Sequence, residues 1–330
     1  MNENNENNKT LIRTYYGGTP DGPLYDEYYL INDLIEGEYK SYDYDGYLYH
    51  QCFFVNNKRN GPTIHFYPNG NIKDIGNYVN GRINGEFISY YASDNTASYS
   101  DSIFHPKIKI QPHPDCLANT KPNHLKSIFN YLDGKLHGEA KEYNSNKTLH
   151  IICRYVNNKI EGEYKLYTET GELYQISNYD DNKKNGPSRD YYVSTPTNKN
   201  ISGKLKIDCH MKNDLLDGKY TRFYPNGKID YECEYSKGRK NGYFKKYTRN
   251  DTIEYECEYR RNKKHGEYKK YYPNGNIEYE CCFNKNKKHN QYKSYDQYGN
   301  LIYVCNYAND VKKGPFQEYN NGILINSGVL

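Results

Sequence analysis

An all-β fold, an elongated solenoid of stacked antiparallel β-hairpins, is what this sequence predicts. Three observations carry it: glycines recur every 24 residues, aromatic residues hold fixed places within each period, and one strand of each period alternates apolar with charged side chains. Gly37, Gly61 and Gly85 set the spacing. It continues through Gly138, Gly162 and Gly186, then Gly218, Gly242 and Gly266, with Asn290 and Gly314 keeping the count. Longer gaps follow Gly85 and Gly186, and each fits a loop inserted into the period.

With the anchor as position 0, position 5 is aromatic in all eleven units, from Tyr42 to Tyr319. Position 11 is mostly Leu or Ile, and position 17 mostly aromatic. The second strand reads Ile229, Tyr231, Cys233 and Tyr235 on one face, with Asp230, Glu232 and Glu234 on the other. Lysines of the first strand, such as Lys245, Lys246, Lys269 and Lys270, are placed to pair with those acids. Pro-Asn-Gly stands between the strands at Pro68–Gly70, Pro225–Gly227 and Pro273–Gly275, the chemistry of a tight turn. Aromatics at positions 2 and 5 differ by an odd number, so the first strand must twist, bulge or use both faces. A lone hairpin is marginal, so the units must stack, advancing about 10 Å each into a rod on the order of 100 Å.

Composition agrees with a thin fold. The chain of 330 residues carries 42 Tyr, no Trp and only 35% hydrophobic residues, while its 26% charged residues nearly cancel to +4. Tyrosine supplies buried area and keeps a polar tip. Residues 1–10 read as a disordered polar tail and 11–330 as a single repeat array, with inserted loops near 92–123 and 194–201. No apolar run approaches the roughly 20 residues of a membrane span, and the start lacks a signal-peptide pattern. The expected location is therefore cytoplasmic, with reduced cysteines.

The pattern G-E-Y-K-x-Y-Y-P-N-G-x-I, followed by an aromatic near position 17 and a lysine-rich link, resembles MORN repeats. It is most similar to the YwqK-like variant and to the long MORN-repeat proteins of giant amoebal viruses. That resemblance covers roughly residues 11–330, including a degenerate first unit with Pro20, Asp21 and Gly22 at its turn. It implies stacked hairpins, scaffolding, membrane or phosphoinositide association in some members, and partner-protein binding in YwqK-type relatives. A virus-infected host cell is the setting it suggests. The 24-residue spacing and the lack of Trp depart from the commonest form of the repeat.

Four groups of side chains are candidates for chemistry. Cys52, Cys153, Cys209, Cys233, Cys257, Cys281 and Cys305 all fall at position 15. Rungs about 10 Å apart exceed the ~7 Å reach of a disulfide and suit a packed ladder of thiols better than a zinc site. Cys282 should face the other way. The insertion after Gly85 brings His105, His113, Cys116 and, at its edge, His124, which are zinc ligands by type but not by spacing, so a polar loop is expected. Basic residues gather in the links: Lys237, Arg239 and Lys240; Arg260, Arg261, Lys263 and Lys264; Lys285, Lys287 and Lys288; Lys312 and Lys313. Stacked, they would form a ridge for an anionic partner such as a lipid surface. The tyrosines are in registers that suit packing, and the near-neutral charge gives little footprint for nucleic acid.

Neither a P-loop, a dinucleotide glycine pattern nor a G-x-S-x-G elbow occurs. The acids that do occur obey the repeat. The sequence therefore points to a non-catalytic interaction scaffold without cofactors, presenting a repetitive β surface to partner proteins. A peripheral membrane adaptor using the basic ridge is the alternative.

Overall fold

Two kinds of turn alternate along the described residues, and the strands that each turn joins pair antiparallel. The computed structural model describes residues 9–92 and 124–330. Among these residues there are 28 β-strands and two short 3-10 turns, with no α-helix. The chain divides into two compact units, Met1–Glu161 with Glu169–Gly171, and Gly162–Thr168 with Glu172–Leu330.

The turn inside each repeat is the Pro-Asn-Gly type. Tyr67 N–H donates to the Asn71 carbonyl at 2.8 Å, and Gly70 N–H to the Tyr67 carbonyl at 2.8 Å. The residue at position 9 takes positive φ, as in Gly70 (80°), Gly227 (87°) and Gly275 (92°), and Lys147 (74°) and Asp251 (72°) follow them. This is a type I turn closed by a left-handed residue.

The link between repeats is a tighter, two-residue turn. Both of its residues have positive φ: Asn56 and Asn57 (49°, 63°), Arg261 and Asn262 (52°, 66°), Asn309 and Asp310 (55°, 73°). That is the type I′ geometry whose twist matches paired strands, and it explains the Asn, Asp or Gly at its second place. The same residue ties one link to the link before it. The Asn262 N–H donates to the Lys240 carbonyl at 2.9 Å, while its side-chain carbonyl accepts from the Lys240 N–H at 2.7 Å. Asn286 repeats this clasp on Lys264 at 2.7 Å, and Asp310 repeats it on Lys288 at 2.7 Å.

Between the turns, two irregularities recur in each complete unit. One lies just before the position-5 aromatic: Lys246 pairs with Tyr255, but Tyr247 pairs with Ile253, leaving Glu254 unpaired. The other lies at the anchor, where Cys257 pairs with Tyr268 and Tyr259 with Lys264, so three residues around Gly266 oppose one. The first strand thus solves its odd spacing by bulging and by using both faces. The position-2 ring stands opposite the thiol, whereas the position-5 phenols of Tyr247, Tyr271 and Tyr295 donate to Glu232, Glu256 and Glu280 at 2.7–2.8 Å.

The bulge corrects one expectation. Asp230 does not join Glu232 and Glu234 on the outer face. It is the residue left unpaired between Ile229 and Tyr231, and it is buried (6% exposed) in ion pairs with Lys246 and Arg222. Lys245 does reach an outer-face acid, Glu256, at 3.4 Å, and such exposed pairs add only ~0.5 kcal/mol.

The insertions occupy the turns. Gly85–Tyr90 pairs with Leu125–Leu132, from Gly85 opposite Tyr131 to Tyr90 opposite Leu125. Lys183–Tyr191 pairs with Leu205–Lys212 across the second insertion, where Ser194 caps onto Glu172. His105, His113 and Cys116 lie outside the described residues. His124 lies at their edge, its carbonyl accepting from Tyr91 N–H at 2.7 Å.

Asn290 shows what the anchor requires. Its φ is 64°, in the left-handed region like the anchor glycines on either side, Gly266 (82°) and Gly314 (84°). Asparagine is among the few side chains that adopt this region readily. Replacing Asn290 with Gly should leave the urea midpoint nearly unchanged, whereas Asn290→Val should cost about 1–2 kcal/mol; equal midpoints for the two variants would refute the conformational requirement.

A candidate interaction face of rings, thiols and lysines

Cross-strand register decides which side chains share a face. In the second unit, position 2 stands opposite position 15 on both neighbouring strands. The resulting row reads Cys209, Tyr220, Cys233, Phe244, Cys257, Tyr268, Cys281, Tyr292, Cys305, aromatic and thiol alternating. Small thiols leave room for the rings to lean. Tyr231, Tyr255 and Tyr279, at position 13, fill that room.

A continuous stack results, from Tyr220 through Tyr231, Phe244, Tyr255, Tyr268 and Tyr279 to Tyr292. Successive ring centroids are 5.4–5.6 Å apart and the planes are inclined by 15–28°. Each position-2 ring also meets a position-17 ring at a steeper angle, as Phe244 meets Tyr259 (57°) and Tyr268 meets Phe283 (64°). Offset ring pairs of this kind contribute about 0.5–1.5 kcal/mol beyond area burial. Phe244 and Tyr268 are the most enclosed, at 4% and 6% exposure.

The thiols behave as core. Cys52, Cys153, Cys233, Cys257, Cys281 and Cys305 are buried, Cys209 and Cys282 half-buried, and all are free. Burial pushes the Cys52, Cys153, Cys209, Cys233, Cys257 and Cys281 thiols up to about 11. A thiol held that high is a poor nucleophile at neutral pH. Cys282 takes the opposite face, between Glu267 and His289, as strand alternation requires.

The basic residues of the links divide into two sets. Lys237, Arg239, Arg260, Arg261, Lys263, Lys285, Lys287 and Lys313 are exposed at the turns. Lys240, Lys264 and Lys288 are half-buried and reach back over the rings. The Lys264 ammonium lies 4.7 Å from the Tyr268 centroid, 5.2 Å from Tyr255 and 5.4 Å from Phe283. Lys240 is boxed by Phe244 (4.7 Å), Tyr231 (5.3 Å) and Tyr259 (5.4 Å), and Lys288 by Tyr292, Tyr279 and Tyr307 at 5.0–5.3 Å. Lys312, exposed itself, lies 4.5 Å from the Tyr303 centroid. Contacts of this kind are worth about 0.5–2 kcal/mol each, more as water is excluded.

In the first unit the row of positions 2 and 15 reads Tyr39, Cys52, Thr63, Gly76, and beside it stand His50 at position 13 and His65 at position 4. His50 is buried and stacks on its register partner His65 with centroids 4.6 Å apart, while its Nε2 meets Thr63 Oγ1 at 3.1 Å. Burial lowers the His50 imidazole to about 4, helped by His65 and Arg59, so the pair is neutral at physiological pH. Among the described residues no group of three or more His, Cys, Asp or Glu side chains is arranged to hold a metal ion. No helix there is long and apolar enough to cross a membrane.

Five segments of the chain match a MORN repeat variant. They are residues 59–80, 136–157, 160–181, 216–237 and 264–285. Each matched segment begins two residues before an anchor glycine and ends inside the next type I′ turn, so the matched unit coincides with one hairpin. No curated protein matches the chain. Among solved structures, it aligns with the TcdB2-TccC3-Cdc42 complex at 12% identity and a TM-score of 0.19, covering 94% of this chain and 14% of that one. It aligns with the Tc holotoxin pore of Photorhabdus luminescens at 8% identity and a TM-score of 0.18, covering 95% of this chain and 18% of that one. The chain thus spans under a fifth of either, and similarity at that level carries no functional argument.

Thiol reactivity tests the ring-and-thiol row. In a Cys116→Ser background, an aromatic disulfide reagent at neutral pH should label Cys282 first. The six high-pKa thiols should react only on unfolding. Fast labelling of native Cys233 or Cys257 would show that the row is open.

Proposed function

We propose that this protein is a non-catalytic scaffold whose repetitive β surface binds partner proteins. The observation that supports it most is the threefold recurrence of one half-buried box, a lysine among three aromatic rings, at Lys240, Lys264 and Lys288. Equal boxes at equal intervals suit many weak contacts made at once, so avidity supplies the strength. MORN repeats generally serve as protein- or membrane-interaction modules, in keeping with this reading. The thiols and carboxylates follow the repeat and are engaged with neighbours, which suits structure better than turnover.

A second reading rests on the exposed cations of the link turns. Arg260, Arg261, Lys263, Lys285 and Lys287 gather at successive turns and would favour an anionic leaflet, by about 1 kcal/mol per residue near its surface.

A photo-reactive phenylalanine analogue at Tyr279, on the rings, or at Lys263, on the turns, separates the two. The scaffold predicts a discrete protein adduct of constant stoichiometry from position 279 in the native cell. Absence of any such adduct, with salt-sensitive flotation on anionic vesicles lost in a Lys263→Gln, Lys287→Gln variant, would favour the membrane reading instead.

A further inference from the structure

Lys245, Lys246 and Lys270 each have a carboxylate partner, in Glu256, Asp230 and Glu278. The Lys240, Lys264 and Lys288 ammoniums have none within ion-pair distance among the described residues and lie over aromatic rings instead. The rings beneath them are nearly inaccessible, Phe244 at 4% and Tyr268 at 6%. The lysine side chains are therefore the outer layer of this face, stems on the rings and heads available to solvent. A row of positive charges without counter-charges stands on an otherwise aromatic floor.

The interval of that row is informative. Successive lysines are one repeat, or two strands, apart, which is about 10 Å. A polyproline-type helix rises ~3.1 Å per residue with three residues per turn, so every third side chain lies on one side at intervals of about 9 Å. A flat β-strand fails this test, because residues three apart point to opposite faces. An α-helix reaches a similar interval only at i and i+7, about 10.5 Å, but its interior does not accept the prolines whose rings suit these tyrosines. Half-buried Tyr231, Tyr255 and Tyr279 separate the lysines and offer ring faces of the kind on which proline-rich segments dock.

We propose that the ring face of the second unit binds an acidic segment in polyproline conformation, with carboxylates at every third residue meeting Lys240, Lys264 and Lys288. This rests on the scaffold reading and names its partner class. The prolines between the acids lie on the tyrosines, and their low conformational entropy reduces the cost of docking.

The test uses the full chain and three fluorescent peptides. One has four Glu-Pro-Pro triplets. A second replaces Glu by Gln. The third has the same composition as the first, with its glutamates gathered in adjacent pairs. At about 0.15 M salt, fluorescence polarisation should show the triplet peptide binding roughly tenfold more tightly than the regrouped one, and the Gln peptide weaker still. Lys264→Met with Lys288→Met keeps the stems over the rings and should weaken triplet binding by roughly tenfold or more. Lys263→Met with Lys287→Met, on the turns, should leave it unchanged.

Equal affinity for the triplet and regrouped peptides, absence of binding, or insensitivity to the Lys264 and Lys288 substitutions would overturn the proposal. Binding to phosphatidylserine vesicles that exceeds peptide binding and depends on Lys263 and Lys287 would also overturn it, in favour of a lipid surface. If the peptides fail while the adduct at position 279 persists, the peptide inference falls and the scaffold stands. If both are absent, both fall.

Discussion

A two-stranded hairpin cannot bury its own apolar face, and everything else in this protein follows from that shortage. Each ring at position 2 is covered by rings of the strands on both sides, so Phe244 is enclosed only because Tyr231 and Tyr255 flank it. The thiol opposite each ring belongs to the same economy. Cysteine is small and apolar enough to sit under two leaning rings, where a larger side chain would force them apart. The tyrosine excess therefore has a structural purpose: large flat groups supply a core in a fold that has few aliphatic residues.

Hydrogen bonds carry the same dependence between repeats. The phenol of Tyr224 donates to the Tyr247 carbonyl at 2.9 Å, and that of Tyr272 to the Tyr295 carbonyl at 3.0 Å, each reaching into the next repeat. Where position 6 is Asp43 or Asp296, the side chain instead caps its own turn. The link clasps, such as Asn262 on Lys240, add a third connection. Rings, phenols and turn amides thus act at three places along each strand, which pins the register that the bulges would otherwise loosen.

Much of this fold was legible in the sequence, and the reasons are local. Glycine spacing, Pro-Asn-Gly turns and the Tyr-x-Cys-x-Tyr alternation each report a backbone requirement directly. Two features were harder to read. The bulge before position 5 carries no residue signature of its own, so simple alternation puts Asp230 on the wrong face. The basic links looked like one ridge because Lys263 and Lys264 are adjacent in the chain. Adjacent strand residues point to opposite sides, and that rule alone separates the exposed Lys263 from Lys264 beneath the solvent and above the rings. His105, His113 and Cys116 fall outside the described residues.

Coupling between repeats is measured most directly by native-state hydrogen exchange on Phe244→Leu. Removing one ring from the stack should lower amide protection not only in its own strand Arg239–Tyr247 but also in Ile229–Ser236 and Ile253–Arg260, the strands paired with it on either side. Protection in Leu301–Ala308, beyond the end of the stack, should fall less. Loss confined to Arg239–Tyr247, with both neighbouring strands as protected as before, would contradict a fold whose units depend on one another for their core.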